Sequence, residues 1–176
     1  GVPMIAPCNG FQIAVQVGLL PGPMAGPATR PTVALARNAS GRFVDRWTRV
    51  EYPESRCVWT RGLEPADRVN LLPVAHGEGR FVPRDDVLLA ELEANGQVAV
   101  RYAGGDDPNG SVGRVAGICD PSGLVLGLMP HPERYTRWTQ HPSWTRLEVA
   151  DMNGPTPGLR MFHAAVTAAK EAALAV

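Results

Sequence analysis

The stretch Val2-Pro3-Met4-Ile5-Ala6-Pro7-Cys8-Asn9-Gly10-Phe11-Gln12 constrains this chain more than any other. The apolar run Val2 to Ala6 predicts a buried strand, and Phe11 to Val17 carries its apolar residues on a helical period, so Cys8 falls on the turn between them. Such an elbow lifts a side chain clear of the sheet and aims it at the helix N-terminus, whose free N–H groups and partial positive charge favour a thiolate. It tolerates only small neighbours, and Ala6 and Gly10 stand two residues before and two after the cysteine. On this segment alone, an inert buried thiol is the commoner reading.

The segment Gly123-Leu124-Val125-Leu126-Gly127-Leu128-Met129-Pro130-His131-Pro132-Glu133-Arg134 changes that balance. It predicts a second apolar strand, stopped by prolines and ending on a His and a Glu. A cysteine nucleophile needs an imidazole to take and return its proton, and a carboxylate to orient that imidazole and stabilise its charged form. Cys8, His131 and Glu133 therefore form a candidate Cys-His-Glu triad. His141 and His163 are rivals for the base; His141 has no carboxylate at short range and His163 falls mid-helix among alanines, so both read as surface histidines.

Five segments together resemble a known family: Cys8-Asn9-Gly10-Phe11-Gln12, Asn38-Ala39-Ser40-Gly41-Arg42-Phe43, His76-Gly77-Glu78-Gly79-Arg80-Phe81, Pro108-Asn109-Gly110-Ser111 and Pro130-His131-Pro132-Glu133-Arg134. They are similar to the class I glutamine amidotransferases. Within that family their order is closest to the glutaminase subunits of phosphoribosylformylglycinamidine synthase, which serve purine biosynthesis. The resemblance implies a flavodoxin-like α/β domain that hydrolyses glutamine. The ammonia would pass to a separate synthetase subunit, with a small bridging subunit as a further partner, for the ATP-dependent conversion of formylglycinamide ribonucleotide to the amidine. It assigns Cys8, His131 and Glu133 to catalysis, Asn9 N–H to the oxyanion hole, and Gln12, Asn38 and Ser40 to glutamine binding. ATP and Mg would belong to the synthetase, since this chain has no Gly-x-x-x-x-Gly-Lys loop and needs no cofactor of its own. The family domain begins upstream of the elbow, with further strands and a Gly-rich loop that lends a second oxyanion donor. This chain starts on the elbow strand, which predicts a C-terminal portion of the domain. Pro7 also stands where the family carries a residue with a free N–H.

Composition agrees with one soluble domain over residues 1–176: 44% of the residues are apolar and 19% charged. With 17 basic and 17 acidic residues the net charge is zero, which leaves no electrostatic footprint for nucleic acid or an anionic membrane. No apolar run approaches the roughly 20 residues of a membrane helix, and a secretory leader is absent from the N-terminus, so a cytosolic protein is expected. Cys8, Cys57 and Cys119 are odd in number and widely spaced, an argument against a disulfide framework or a zinc site. Cys57 and Cys119 read as core or surface thiols.

Along the chain, the pattern predicts a Pro/Gly-rich loop over 19–31, strands over 32–35 and 42–51 joined by a hairpin turn at Asn38-Ala39-Ser40-Gly41, and strands over 57–60 and 69–75. His76-Gly77-Glu78-Gly79-Arg80 reads as a positioning or subunit-contact loop. A helix over 85–94 closes on Asn95-Gly96, a strand covers 97–102, and a polar loop covers 106–111. Strands over 115–119 and 124–128 form a hairpin that delivers His131 and Glu133, and a long helix follows from 156 to 176. Two alternatives to the amidotransferase reading are a cysteine hydrolase of the same fold acting on other amides, and a non-catalytic interaction module.

Overall fold

The computed structural model describes residues 1–23, 31–65 and 69–174 of the chain. Strand β1 (Met4–Pro7) leads straight into helix α1 (Asn9–Gln16), then come β2 (Val33–Arg37), β3 (Val44–Glu51), β4 (Leu71–His76), β5 (Glu78–Pro83), α2 (Asp86–Ala94), β6 (Val98–Tyr102), β7 (Val115–Cys119), β8 (Val125–Leu128) and α3 (Pro157–Leu174). Six strands form one sheet in the order β1-β8-β7-β6-β3-β4, and β2 pairs with β5 in a small second sheet. This is the α/β architecture expected. Within the described residues the β1–β8 pair is parallel and the other pairs are antiparallel.

Strand β7 is buried along its whole length, with Val115 and Ile118 in one core cluster and Ala116 and Cys119 in the other, a spacing of three that goes with the irregular register of its pairing with β6. One face packs against α3 through Leu126, Leu128, Tyr102, Met161 and Ala165. The other packs against Phe11, Ala14 and Val15 of α1, Leu88 and Leu92 of α2, and Val33 and Phe81 of the small sheet. Helix α2 starts on Asp85, whose carboxylate accepts from the Leu88 N–H at 2.8 Å, and it ends at Asn95 and Gly96, the cap that the sequence predicts.

Four expectations require correction. Residues 57–60 form turns rather than a strand, and Cys57, Val58 and Trp59 still supply core side chains because the indole N–H of Trp59 donates to Leu124 O at 2.9 Å and holds the segment down. Asn38 to Gly41 is not the tip of a hairpin: β2 pairs with β5 and β3 with β4, so the turn carries the chain from one sheet to the other. Strand β1 is half-buried rather than buried, with Met4 39% exposed and β8 as its one strand partner among the described residues. His141 is buried, not on the surface, packed against the rings of Trp47 and Tyr135 and accepting the Ser143 N–H at Nδ1. His163 is exposed as expected, Cys57 and Cys119 lie in the core, and of the Pro/Gly-rich stretch 19–31 residues 24–30 lie outside the described residues while Leu20 is buried in the core rather than on the surface.

Candidate functional site

Parallel register brings the three residues of the candidate triad together. Pro7 lies opposite Leu128, so the C-terminal ends of β1 and β8 finish side by side, the edge of a sheet at which α/β folds place their ligands. One residue beyond β1 is Cys8, and three residues beyond β8 is His131. The Cys8 N–H donates to Leu128 O at 2.7 Å and ties the elbow to β8. Met4 N–H donates to Leu124 O in the same way, so along β1 the even-numbered N–H groups face β8. Pro7 therefore loses no bond to β8 by lacking an N–H.

Cys8 has φ 49° and ψ −108°, a conformation that non-glycine residues rarely adopt and that persists where the surroundings over-determine it. Helix α1 starts at Asn9, two residues earlier than the apolar period predicts, so its N-terminus abuts Cys8. Phe11 and Gln12 return their N–H groups to Cys8 O, which leaves the N–H groups of Asn9 and Gly10 at the head of the helix, where an anion is favoured. A Cβ on Gly10 would meet that of Ala6 at 3.3 Å, which is why both neighbours of the elbow are small.

The strand order curls so that β4, its last member, returns to this corner. His131 N–H donates to Pro73 O at 2.8 Å, and the Cys8 thiol donates to Ala75 O at 3.8 Å. His131 Nδ1 donates to Glu133 Oε1 at 2.6 Å, leaving Nε2 buried and without a bonded partner among the described residues. The Cys8 thiol beside the ring, then Glu133, outweigh burial and hold the His131 pKa up at about 9. His131 is therefore an imidazolium at neutral pH. Burial disfavours ionised Glu133, but the hydrogen bond and charge of His131 prevail and leave its carboxyl below the ordinary range.

Around the triad the remaining motif segments interlock. Asn38 is buried; its Nδ2 donates to Arg42 O and His76 O at 2.9 and 2.8 Å, and its Oδ1 accepts from His76 Nδ1 at 3.1 Å. That side chain is wholly engaged in holding its own turn against β4. Ser40 is exposed and its Oγ accepts the Arg42 N–H. Asn109 donates to Gly79 O and the Tyr102 hydroxyl, its carbonyl accepts the Ala39 N–H, and Ser111 Oγ accepts the Phe81 N–H. Gln12 reaches from α1 to Glu78 O at 2.6 Å. Beside the elbow, Asn9, Gln12, Ile13, Gln16, Leu35 and Glu78 line an open cleft of about 330 Å³.

Sequence reasoning brought Cys8, His131, Glu133, Asn9 and Gln12 to one corner and placed His76 in a positioning or subunit-contact loop over 76–80, where the structure instead ends β4 and begins β5. His76 is buried at the end of β4, the strand whose Ala75 O accepts from the Cys8 thiol and whose Pro73 O accepts from the His131 main-chain N–H. A histidine followed by glycine carries no periodic signal, and only the antiparallel return of β4 shows where it goes. Tyr102, which accepts from Asn109, escaped for the same reason.

The chain matches the model of the CobB/CobQ-like glutamine amidotransferase domain over residues 4–167. It is 44% identical over 163 residues to the phosphoribosylformylglycinamidine synthase subunit PurQ of Frankia casuarinae, covering 92% of this chain and 58% of that one. It is 46% identical over 127 residues to the PurQ subunit of Trichormus variabilis, covering 72% and 50%. Among solved structures it resembles the PurLQS structure from Thermotoga maritima, with a TM-score of 0.66 and 31% identity over 93% of this chain and 60% of that one. The chain thus spans about half the length of the curated relatives it matches.

Proposed function

Because the chain belongs to the CobB/CobQ-like glutamine amidotransferase domain family, we propose that it hydrolyses the side-chain amide of glutamine and supplies the ammonia to a synthetase subunit. The cysteine held at a positive-φ elbow at the same sheet end as an imidazole that a carboxylate orients is the observation that carries this reading. With its thiol proton released to solvent, the Cys8 thiolate attacks the amide carbon and forms the C–S bond while the N–H of Asn9 steadies the oxyanion at the head of α1. His131 Nε2 gives its proton to the departing nitrogen, and ammonia leaves. The neutral imidazole then takes a proton from water as that water attacks the thioester, which releases glutamate and restores the thiolate. Glu133 keeps the ring oriented and its charge compensated throughout.

The PurQ relatives support phosphoribosylformylglycinamidine synthase as the host complex. In it the synthetase subunit would use ATP and Mg to convert formylglycinamide ribonucleotide to the amidine, in the cytosol, with a small bridging subunit between the two. No helix among the described residues is long and apolar enough to cross a membrane. The test is Cys8→Ala in the full-length protein assembled with its synthetase: glutamine-dependent synthesis should vanish while synthesis from added ammonia persists. Retention of glutamine-dependent synthesis would overturn the assignment.

A further inference from the structure

Among the described residues, His76 is a buried, chemically competent side chain near this corner that the proposed reaction does not use. Its tautomer is set by Asn38. The Asn38 Nδ2 donates to two main-chain carbonyls, so the amide orientation is fixed and its Oδ1 must face the ring as an acceptor. His76 Nδ1 therefore carries the hydrogen, and Nε2 is a bare acceptor. That Nε2 is buried and has no protein partner among the described residues. A buried acceptor left unpaired is costly, which marks a place where a ligand atom can bind.

His76 sits against the triad on several counts. Its neighbour Ala75 accepts from the Cys8 thiol, Pro73 of the same strand accepts from His131 N–H, and a Cβ on Gly79 would meet the His76 ring at 2.7 Å and Met129 at 2.8 Å. Gly79 thus keeps the ring's position open between β5 and the strand end that leads to His131. Burial, then the charge of His131, lowers the His76 pKa to about 4, so the ring stays neutral at working pH and cannot compete as an acid.

We infer that His76 Nε2 accepts a hydrogen bond from the amide nitrogen of glutamine and orients it for departure. The inference rests on the glutaminase reading. When sulfur adds to the amide carbon, the nitrogen becomes pyramidal, with two hydrogens and a lone pair. One N–H donates to His76 Nε2, which fixes the rotation about the C–N bond and turns the lone pair toward His131. The proton then moves from His131 Nε2 to that nitrogen as the C–N bond breaks, and ammonia leaves with its three hydrogens. An acceptor-only nitrogen at this position also favours an amide over the free carboxylate of glutamate.

The experiment compares two substrates in the full-length protein assembled with its synthetase: glutamine, whose leaving nitrogen bears hydrogens, and a γ-glutamyl alkyl ester, whose leaving oxygen bears none. His76→Asn retains a group near Nδ1 and removes the Nε2 acceptor; His76→Gln retains one near Nε2. Losing an acceptor for a buried N–H should lower kcat for glutamine by roughly tenfold to a hundredfold in His76→Asn, with ester hydrolysis within about threefold of wild type and His76→Gln recovering most of the loss. Equal loss on both substrates would make His76 a structural latch only and overturn the inference. Unchanged glutamine turnover would overturn it too. A wild-type protein that hydrolyses neither substrate overturns the glutaminase reading as well. Independently of any variant, the wild-type imidazole ¹⁵N spectrum should show His76 Nε2 unprotonated at neutral pH and shifting as ammonia is titrated in; a protonated Nε2 would refute the tautomer.

Discussion

Replacing Glu133 by Gln removes the charge that faces the His131 ring and keeps a carbonyl able to accept the Nδ1 hydrogen. The span from 6.5 to about 9 corresponds to roughly 3 kcal/mol of preference for the imidazolium. The Cys8 thiol supplies the larger part, and the Glu133 side chain is 43% exposed, so solvent screens its share. Glu133 then contributes about 1 kcal/mol, and the variant should titrate roughly one pH unit lower, near pH 8. A raised folded-state pKa stabilises the protein fully below the unfolded value and loses that stabilisation as pH rises through about 9. Wild type should therefore lose stability between pH 6.5 and 9, and Glu133→Gln should lose less. The assay is the chemical shift of the His131 Cε1 proton against pH, with thermal melts at either end of that window. Glutamine turnover at neutral pH should fall by only about fivefold, since the ring stays oriented and mostly charged with about 1 kcal/mol less stabilisation. An unchanged midpoint, or one that rises, would refute the electrostatic reasoning.

Limiting iodoacetamide on the native protein should label Cys8 first, because Cys57 and Cys119 are 1% and 0% exposed; mapping adducts on either of those instead would count against the elbow. Gly127→Ala should push α1 off β8, since its Cβ would collide with Phe11 Cδ2 and Leu20 Cδ1. We expect a loss of roughly 1–3 kcal/mol, read as a melting temperature lower by about 3–10 °C; a variant as stable as wild type would show that the helix yields freely.

The elements most legible in the sequence were those whose signal is local. Cys8 between an apolar run and a helical period, Asp85 and Gly96 bracketing α2, and the β7–β8 hairpin around Asp120-Pro121-Ser122-Gly123 each follow from residues within a few positions of one another. The proximity of Cys8 and His131 also needed only two strand ends and the chemistry of a thiol. Local pattern misled at 57–60, where apolar side chains entered the core from turns, and at Asn38 to Gly41, where a good turn sequence joined two sheets.

By itself the sequence determined which residues could do chemistry: one cysteine at a strained turn, one histidine with a carboxylate two residues on, and the apolar periods that make a layered α/β domain. Tertiary structure decided which of the other polar residues join them. The parallel register of β1 with β8 sets Cys8 beside His131, and the return of β4 sets His76 there as well. That return is a contact between segments more than 60 residues apart, as from Cys8 to Ala75, and no period or spacing encodes it. The ionisation of the site follows from the same packing. A histidine held between a thiol and a carboxylate is charged at neutral pH, whereas a histidine buried beside that charge is neutral.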